Sequence, residues 1–242
     1  ATGDEPVRKQ KVITLILLGV FLVGLSLLLY PSVSNYWNSI TQSRAIVDYD
    51  TIVKSLSPKD YTVYFERAEE YNSELKALPF PLMEYQQISG YDDCLNAAGD
   101  GVIGYIDIDK IQVKLPIYHG TDPSILNHAC GHIQGSSFPI AGKGTHAAIS
   151  AHRGLPSAKL FSDLDKLKVG DYFTITVLRQ TIFYQIDRID IVEPEETGLL
   201  ALDKEKDYCT LLTCTPYGIN TKRLLVRGVR CEVTERAEPI RT

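Results

Sequence analysis

The stretch YCTLLTCTPYGINTKRLLVRGV, residues 208–229, contains two runs rich in apolar and β-branched residues, separated by Pro216, Gly218 and Asn220. Pro, Gly and Asn mark the link as a loop, so Tyr208–Cys214 and Arg223–Val229 read as adjacent antiparallel strands. The last residue of the first strand then lies opposite the first of the second. Directly opposed residues have Cβ atoms about 5 Å apart, which puts Cys214 and Arg223 face to face at the mouth of the hairpin. Arg227 is four residues further along, roughly 13 Å away at strand rise, and is a poorer partner.

Working outward, the same texture extends back to Gly101. Val102–Ile108, Ile111–Ile117, His146–Ser150, Tyr172–Leu178, Thr181–Val192, Tyr208–Thr213 and Arg223–Val233 alternate with Gly, Pro, Asp and Asn turns. Seven or eight strands at this spacing make residues 101–233 a mostly β domain, a closed barrel or a sandwich. Leu160–Leu167 reads as a short helix between strands, and the polar tail from Thr234 to Thr242 as frayed.

Residues 31–100 have a helical texture. Ser57 precedes Pro58 as an N-cap, and Tyr61, Tyr64, Phe65, Ala68, Tyr71, Leu75 and Leu78 follow one helical face. Pro79 and Pro81 end that helix and open a loop through about Gly90. Before it, Arg8, Lys9 and Lys11 precede VITLILLGVFLVGLSLLLY, residues 12–30. At 1.5 Å per residue this run reaches roughly 28 Å, the thickness of a bilayer core. A cleaved signal peptide has a shorter apolar core and a small-residue cleavage site. Here Tyr30, Pro31, Tyr36 and Trp37 follow, as suits an anchor at the membrane interface. The basic cluster places residues 1–11 in the cytoplasm and everything after Tyr30 outside, on a single-pass anchor.

The balance of 25 basic and 30 acidic residues, a net charge of -5, carries no nucleic-acid footprint. Five cysteines in a chain of 242 residues do not form a disulfide framework, and none makes a CxxC pair for zinc. An odd number outside the cell leaves at least one thiol unpaired. A thiol becomes a nucleophile as its thiolate, which a neighbouring guanidinium stabilises, and a proton donor must then serve the leaving group. His152 has the best position, just after a strand and before a Gly/Pro loop; His119, His128, His132 and His146 compete. A papain-like arrangement, with cysteine early on a helix and histidine later, has the opposite order.

The run TLLTC, residues 210–214, followed by RLLV, residues 223–226, resembles the TLxTC…R signature of the sortases. GKGT, residues 142–145, and ISAHRGLP, residues 149–156, resemble the segment carrying their catalytic histidine. The resemblance covers about Gly101 to Cys231 and is greatest to class C, the pilin polymerases of Gram-positive bacteria. It implies an eight-stranded β-barrel and a cysteine transpeptidase with Cys214 as nucleophile, His152 as acid and base, and Arg223 at the oxyanion. The implied substrates are pilin subunits with an LPXTG-like sorting signal. The implied acceptor is an amine, a pilin lysine or, in a housekeeping-type sortase, a cell-wall precursor. No metal or other cofactor is required. Many class C members carry an Asp-Pro-aromatic lid; the loop Pro79–Tyr85 lacks that motif, and Glu84 and Tyr85 are the candidate lid residues, a carboxylate near Cys214 and a ring over His152. The alternative outside enzymes is an anchored β-barrel binding module with an inert cysteine.

Overall fold

A computed structural model describes residues 4–232, with side chains from Gln10 onward. Residues 1–3, the side chains of Arg8 and Lys9, Val233 and the tail Thr234–Thr242 lie outside the described residues. Eight strands close into a barrel in the order β1-β2-β3-β4-β7-β8-β6-β5. They are β1 (Val102–Ile108), β2 (Val113–His119), β3 (Cys130–His132), β4 (Thr145–Ser150), β5 (Tyr172–Val177), β6 (Gln180–Val192), β7 (Asp207–Thr215) and β8 (Lys222–Cys231).

Period-two burial builds the core. Ile106, Ile117, Ile149, Ile175, Leu211 and Val226 all have 0% exposure. The Phe173 and Tyr184 rings stack at 5.3 Å between centroids. Gly228 of β8 faces that pair: a Cβ there would stand 2.7 Å from the Phe173 ring and 2.8 Å from the Tyr184 Cβ. Only glycine lets β8 pass this close to the stacked rings.

Three features differ from the sequence reading. β3 is only three residues, Cys-Gly-His, and carries no readable pattern; it is defined by parallel pairing to β2 and antiparallel pairing to β4. Leu160–Leu167 is not one helix. Leu160 takes φ 39°, in the left-handed region, and regular structure is confined to a 3-10 turn at Leu164–Lys166. The second strand begins at Val113 rather than Ile111, because Asp109–Ile111 forms a 3-10 turn closed by Gln112 at φ 51°.

Among the described residues four α-helical segments accompany the barrel: α1 (Asp4–Ser55), α2 (Pro58–Ala77), α3 (Pro81–Glu84) and α4 (Pro123–Leu126). α1 is unbroken, with Pro31 inside it, so the apolar run of residues 12–30 and the helix after it are one element. It is long and apolar enough to cross a membrane, and its side chains from Val12 to Tyr30 are exposed. Beyond that run α1 becomes amphipathic: Ile46, Tyr49 and Val53 are buried at helical spacing. The Tyr49 hydroxyl accepts from the Leu178 amide at 2.7 Å and donates to the Ile103 carbonyl at 3.0 Å. α2 starts as its sequence indicates, with Ser57 Oγ accepting from the Asp60 amide and Pro58 in the first turn. Ala68, Tyr71, Asn72 and Leu75 form its buried face. Asn72 bonds both the amide and the carbonyl of Phe138, which fixes α2 to the chain between β3 and β4.

The pairing pattern gives the barrel two rims. β4 and β7 run parallel, and β7 is antiparallel to β8, so the ends of β4 and β7 and the start of β8 share one rim, here the lower. The starts of β4 and β7 lie at the upper rim.

Candidate active site

Cys214 and Arg223 are direct cross-strand partners at the lower rim, within an unbroken register from Tyr208↔Val229 to Thr215↔Lys222. Cys209 and Leu211 point into the core, so alternation turns Thr210, Leu212 and Cys214 outward. Cys214 and Arg223 are both partly exposed. The Arg223 guanidinium donates to the carbonyls of Asn220 and Lys222, which holds it back over its own loop.

His152 follows the end of β4, and two bonds tie its neighbour to β7. The Ala151 amide donates to the Leu212 carbonyl at 3.2 Å, and Thr213 Oγ1 donates to the Ala151 carbonyl at 2.8 Å. The His152 carbonyl accepts from the Phe161 amide, closing the loop that carries it. Its imidazole is partly exposed and has no side-chain hydrogen bond among the described residues. Partial burial lowers its pKa by disfavouring the charged ring.

The competing histidines are engaged elsewhere. His132 has both nitrogens occupied, by the Tyr91 hydroxyl and the Ser137 carbonyl, and burial takes it down to about 4. His119 lies between the carbonyls of Gly101 and Cys94, and His146 between the Ala201 carbonyl and Thr210 Oγ1. His128 sets its ring edge-on to Tyr118. Among the thiols, burial raises Cys94 to about 12 and pushes Cys130 and Cys209 upward as well. Among the described residues none of the cysteines is in a disulfide, and Cys214 and Cys231 are not buried.

The structure adds a residue that sequence reasoning did not single out. Arg153, next to His152, donates from Nη1 to Thr215 Oγ1 at 3.3 Å, next to Cys214. Its Nη2 pairs with Asp165, and its guanidinium sits 5.8 Å from the Tyr217 ring. The Tyr217 ring lies over Gly154, where an added Cβ would be 3.4 Å from it. The Arg153 side chain is 8% exposed, and its Nε is buried without a partner among the described residues. One guanidinium thus joins the histidine loop to the end of the cysteine strand. The available signal was adjacency to His152, which does not reveal Thr215 or Asp165 as partners.

The candidate lid residues are not brought to Cys214. Glu84 accepts from the Phe80 amide at 3.0 Å, closing its own helical turn. The loop packs instead on Gly135, where a Cβ would stand 2.7 Å from Leu82 Cα. With the segment Thr197–Leu202 and the floor residues Ser136 and His146, it encloses a cavity of about 620 Å³. His146 pairs with Tyr208, six residues from Cys214, so this cavity lies roughly 20 Å along the strand from the thiol. No hydrogen bond or ring contact links Glu84 or Tyr85 to Cys214 or His152 among the described residues.

Residues 106–231, more than half of the chain, match the sortase domain model. The chain therefore belongs to the sortase family, whose members are cysteine transpeptidases. Within that family, class C enzymes are among its close structural neighbours. Sortase C1 from Streptococcus agalactiae is 47% identical, with a TM-score of 0.72 over 78% of this chain and 98% of that one. Sortase C of Clostridium perfringens, solved with the C-terminal cell wall sorting motif, is 38% identical, with a TM-score of 0.68 over 79% of this chain and 100% of that one. Sortase D of Bacillus subtilis is 30% identical over 130 residues, 52% of this chain and 63% of that relative.

Proposed function

We propose that this chain is a membrane-anchored, extracellular transpeptidase that cleaves an LPXTG-like sorting signal and joins the acyl group to an amine, a pilin lysine in the pilus-polymerising case. The observation that carries the reading is the direct pairing of Cys214 with Arg223 beside the strand end that bears His152. The Cys214 thiolate attacks the threonine carbonyl of the signal, and Arg223 stabilises the oxyanion. The amide C–N bond breaks as His152 gives its proton to the departing glycine amine. The thioester formed on Cys214 is then attacked by the acceptor amine, whose proton passes to His152, and the thiolate leaves as the new amide forms.

The substrate class follows from family membership and from the likeness to a sortase C solved with its sorting motif. The class C likeness supports the pilin lysine as acceptor. The apolar run of α1 and the basic residues before it support a single-pass anchor with the barrel outside. Mass spectrometry after incubation with an LPXTG peptide is expected to show an acyl adduct on Cys214, absent from Cys214→Ala. With pilin subunits the parent is expected to build a covalent ladder and Cys214→Ala none. A ladder made by Cys214→Ala overturns the assignment, and preferential use of wall-peptide amines over pilin lysine overturns the acceptor.

A further inference from the structure

α1 fixes the barrel's orientation as well as its attachment. Leaving the apolar run at Tyr30, it first meets the loop that follows His152. Asn35 Oδ1 accepts from the Lys159 amide, and Asn38 Nδ2 donates to the Ser157 carbonyl, each at 2.8 Å. Gln42 next donates to the His128 carbonyl, close to the start of β3 at the lower rim. Only at Tyr49 and Val53 does the helix reach Ile103, Leu178 and Arg179 at the upper rim. At 1.5 Å per residue, Asn35 and Asn38 stand about 8 and 12 Å beyond Tyr30, and Tyr49 about 28 Å. The headgroup layer is roughly 5–8 Å thick on each side of the hydrocarbon core. The rim bearing Cys214 and His152 is therefore the rim nearest the bilayer.

The same rim carries most of the exposed apolar side chains outside α1. Among the described residues these are Phe80, Met83, Val169, Ile191, Tyr217 and Ile219. Phe80 and Met83 flank the cavity near the upper rim. The other four, each at least 60% exposed, lie before β5, at the end of β6 and in the β7–β8 loop, all at the lower rim. Tyr36 and Trp37 of α1 are exposed at the same height. Aromatic and aliphatic side chains at this depth partition into a membrane interface.

We propose that the lower rim docks on the lipid surface of the membrane that α1 crosses, with Val169, Ile191, Tyr217 and Ile219 in the headgroup layer. The cleft then opens at the bilayer and takes a sorting signal presented there, so the reaction runs at the membrane surface. The proposal rests on the anchor reading above, and the test separates the two.

The chain contains one tryptophan, Trp37, a built-in depth probe. The full chain is reconstituted into phosphatidylcholine vesicles, with and without bromine on the acyl chains near the headgroup. Trp37 emission is expected to be quenched by the brominated lipid. In a Trp37→Phe background, Ile219→Trp and, independently, Ile191→Trp are expected to be quenched to a comparable extent. Met83→Trp in the same background is expected to show no quenching. Quenching of Trp37 without quenching at 191 and 219 overturns the docked rim and leaves the anchor standing. Failure of the full chain to float with the vesicles on a density gradient overturns the anchor, and the docking with it, whereas a floating chain with Trp37 unquenched overturns the docked rim alone.

Discussion

Removing Arg153 is expected to impair the reaction far more than it loosens the fold. Its contacts are a hydrogen bond to Thr215 at 3.3 Å, an ion pair with a half-exposed Asp165, and the Tyr217 face at 5.8 Å. The long hydrogen bond and the screened pair contribute about 0.5–1 kcal/mol each, and the cation–π contact about the same. Arg153→Ala is therefore expected to lose about 2 kcal/mol of stability, leaving a folded protein. The kinetic effect follows from a different quantity. The guanidinium bridges the residue after His152 to the residue after Cys214, so its loss frees the imidazole to drift relative to the sulfur. A misplacement of about 1 Å costs on the order of 100-fold in rate. Steady-state kinetics on an LPXTG peptide with an amine acceptor should show kcat reduced about 100-fold and KM for the peptide nearly constant, since no peptide contact is removed. Arg153→Lys, which keeps the charge but lacks the planar fork, should fall between. If Arg153→Ala retains its circular dichroism spectrum and kcat stays within about twofold, the positioning argument is wrong.

Two further perturbations probe the scaffold. His132 is fully buried and neutral, with its pKa lowered to about 4 from the ordinary 6.5, so the unfolded chain binds a proton that the folded one refuses. Its stabilising effect is complete above pH 6.5 and is lost as pH falls toward 4, a change of roughly 3 kcal/mol. Urea midpoints at pH 7 and 4.5 are expected to differ more in the parent than in His132→Gln, and equal slopes contradict this. Tyr49→Phe strips the Leu178 amide and the Ile103 carbonyl of their buried partner, at about 2–4 kcal/mol for the two groups. Urea denaturation of the full chain in detergent measures it, and a loss below about 0.5 kcal/mol means that water or a backbone shift satisfies both groups.

How much was legible in the sequence varied with the range of the interactions involved. The β7–β8 hairpin was readable because Pro216, Gly218 and Asn220 set its loop and alternation set its faces, and the register places Cys214 opposite Arg223. The start of α2 was readable because Ser57 and Pro58 act within one turn. β3 was not, since three residues carry no period and their strand character comes from neighbours at residues 117–119 and 149–150. The continuity of α1 through Pro31 was hidden for a similar reason. Proline argues locally for a break, while bonds from Asn35, Asn38 and Gln42 to distant carbonyls and amides hold the helix against the barrel. The loop after Pro79 could be read either as a lid over the site, by the family pattern, or as a plain connection. Its position is decided by close packing on Gly135, a contact that nothing in residues 79–90 announces.

The strand order has one more consequence. β6 ends at the lower rim and β7 begins at the upper, so residues 193–206 must travel the height of the barrel. On the way Ala201 is fastened to His146, which lays this crossing beside the outward faces of β4 and β7. The topology thus obliges a segment outside the sheet to serve as one wall of the cavity under residues 79–83, at the rim away from Cys214. Insertions or replacements in that traverse can therefore reshape this cavity while the pairing of β7 with β8 keeps its register.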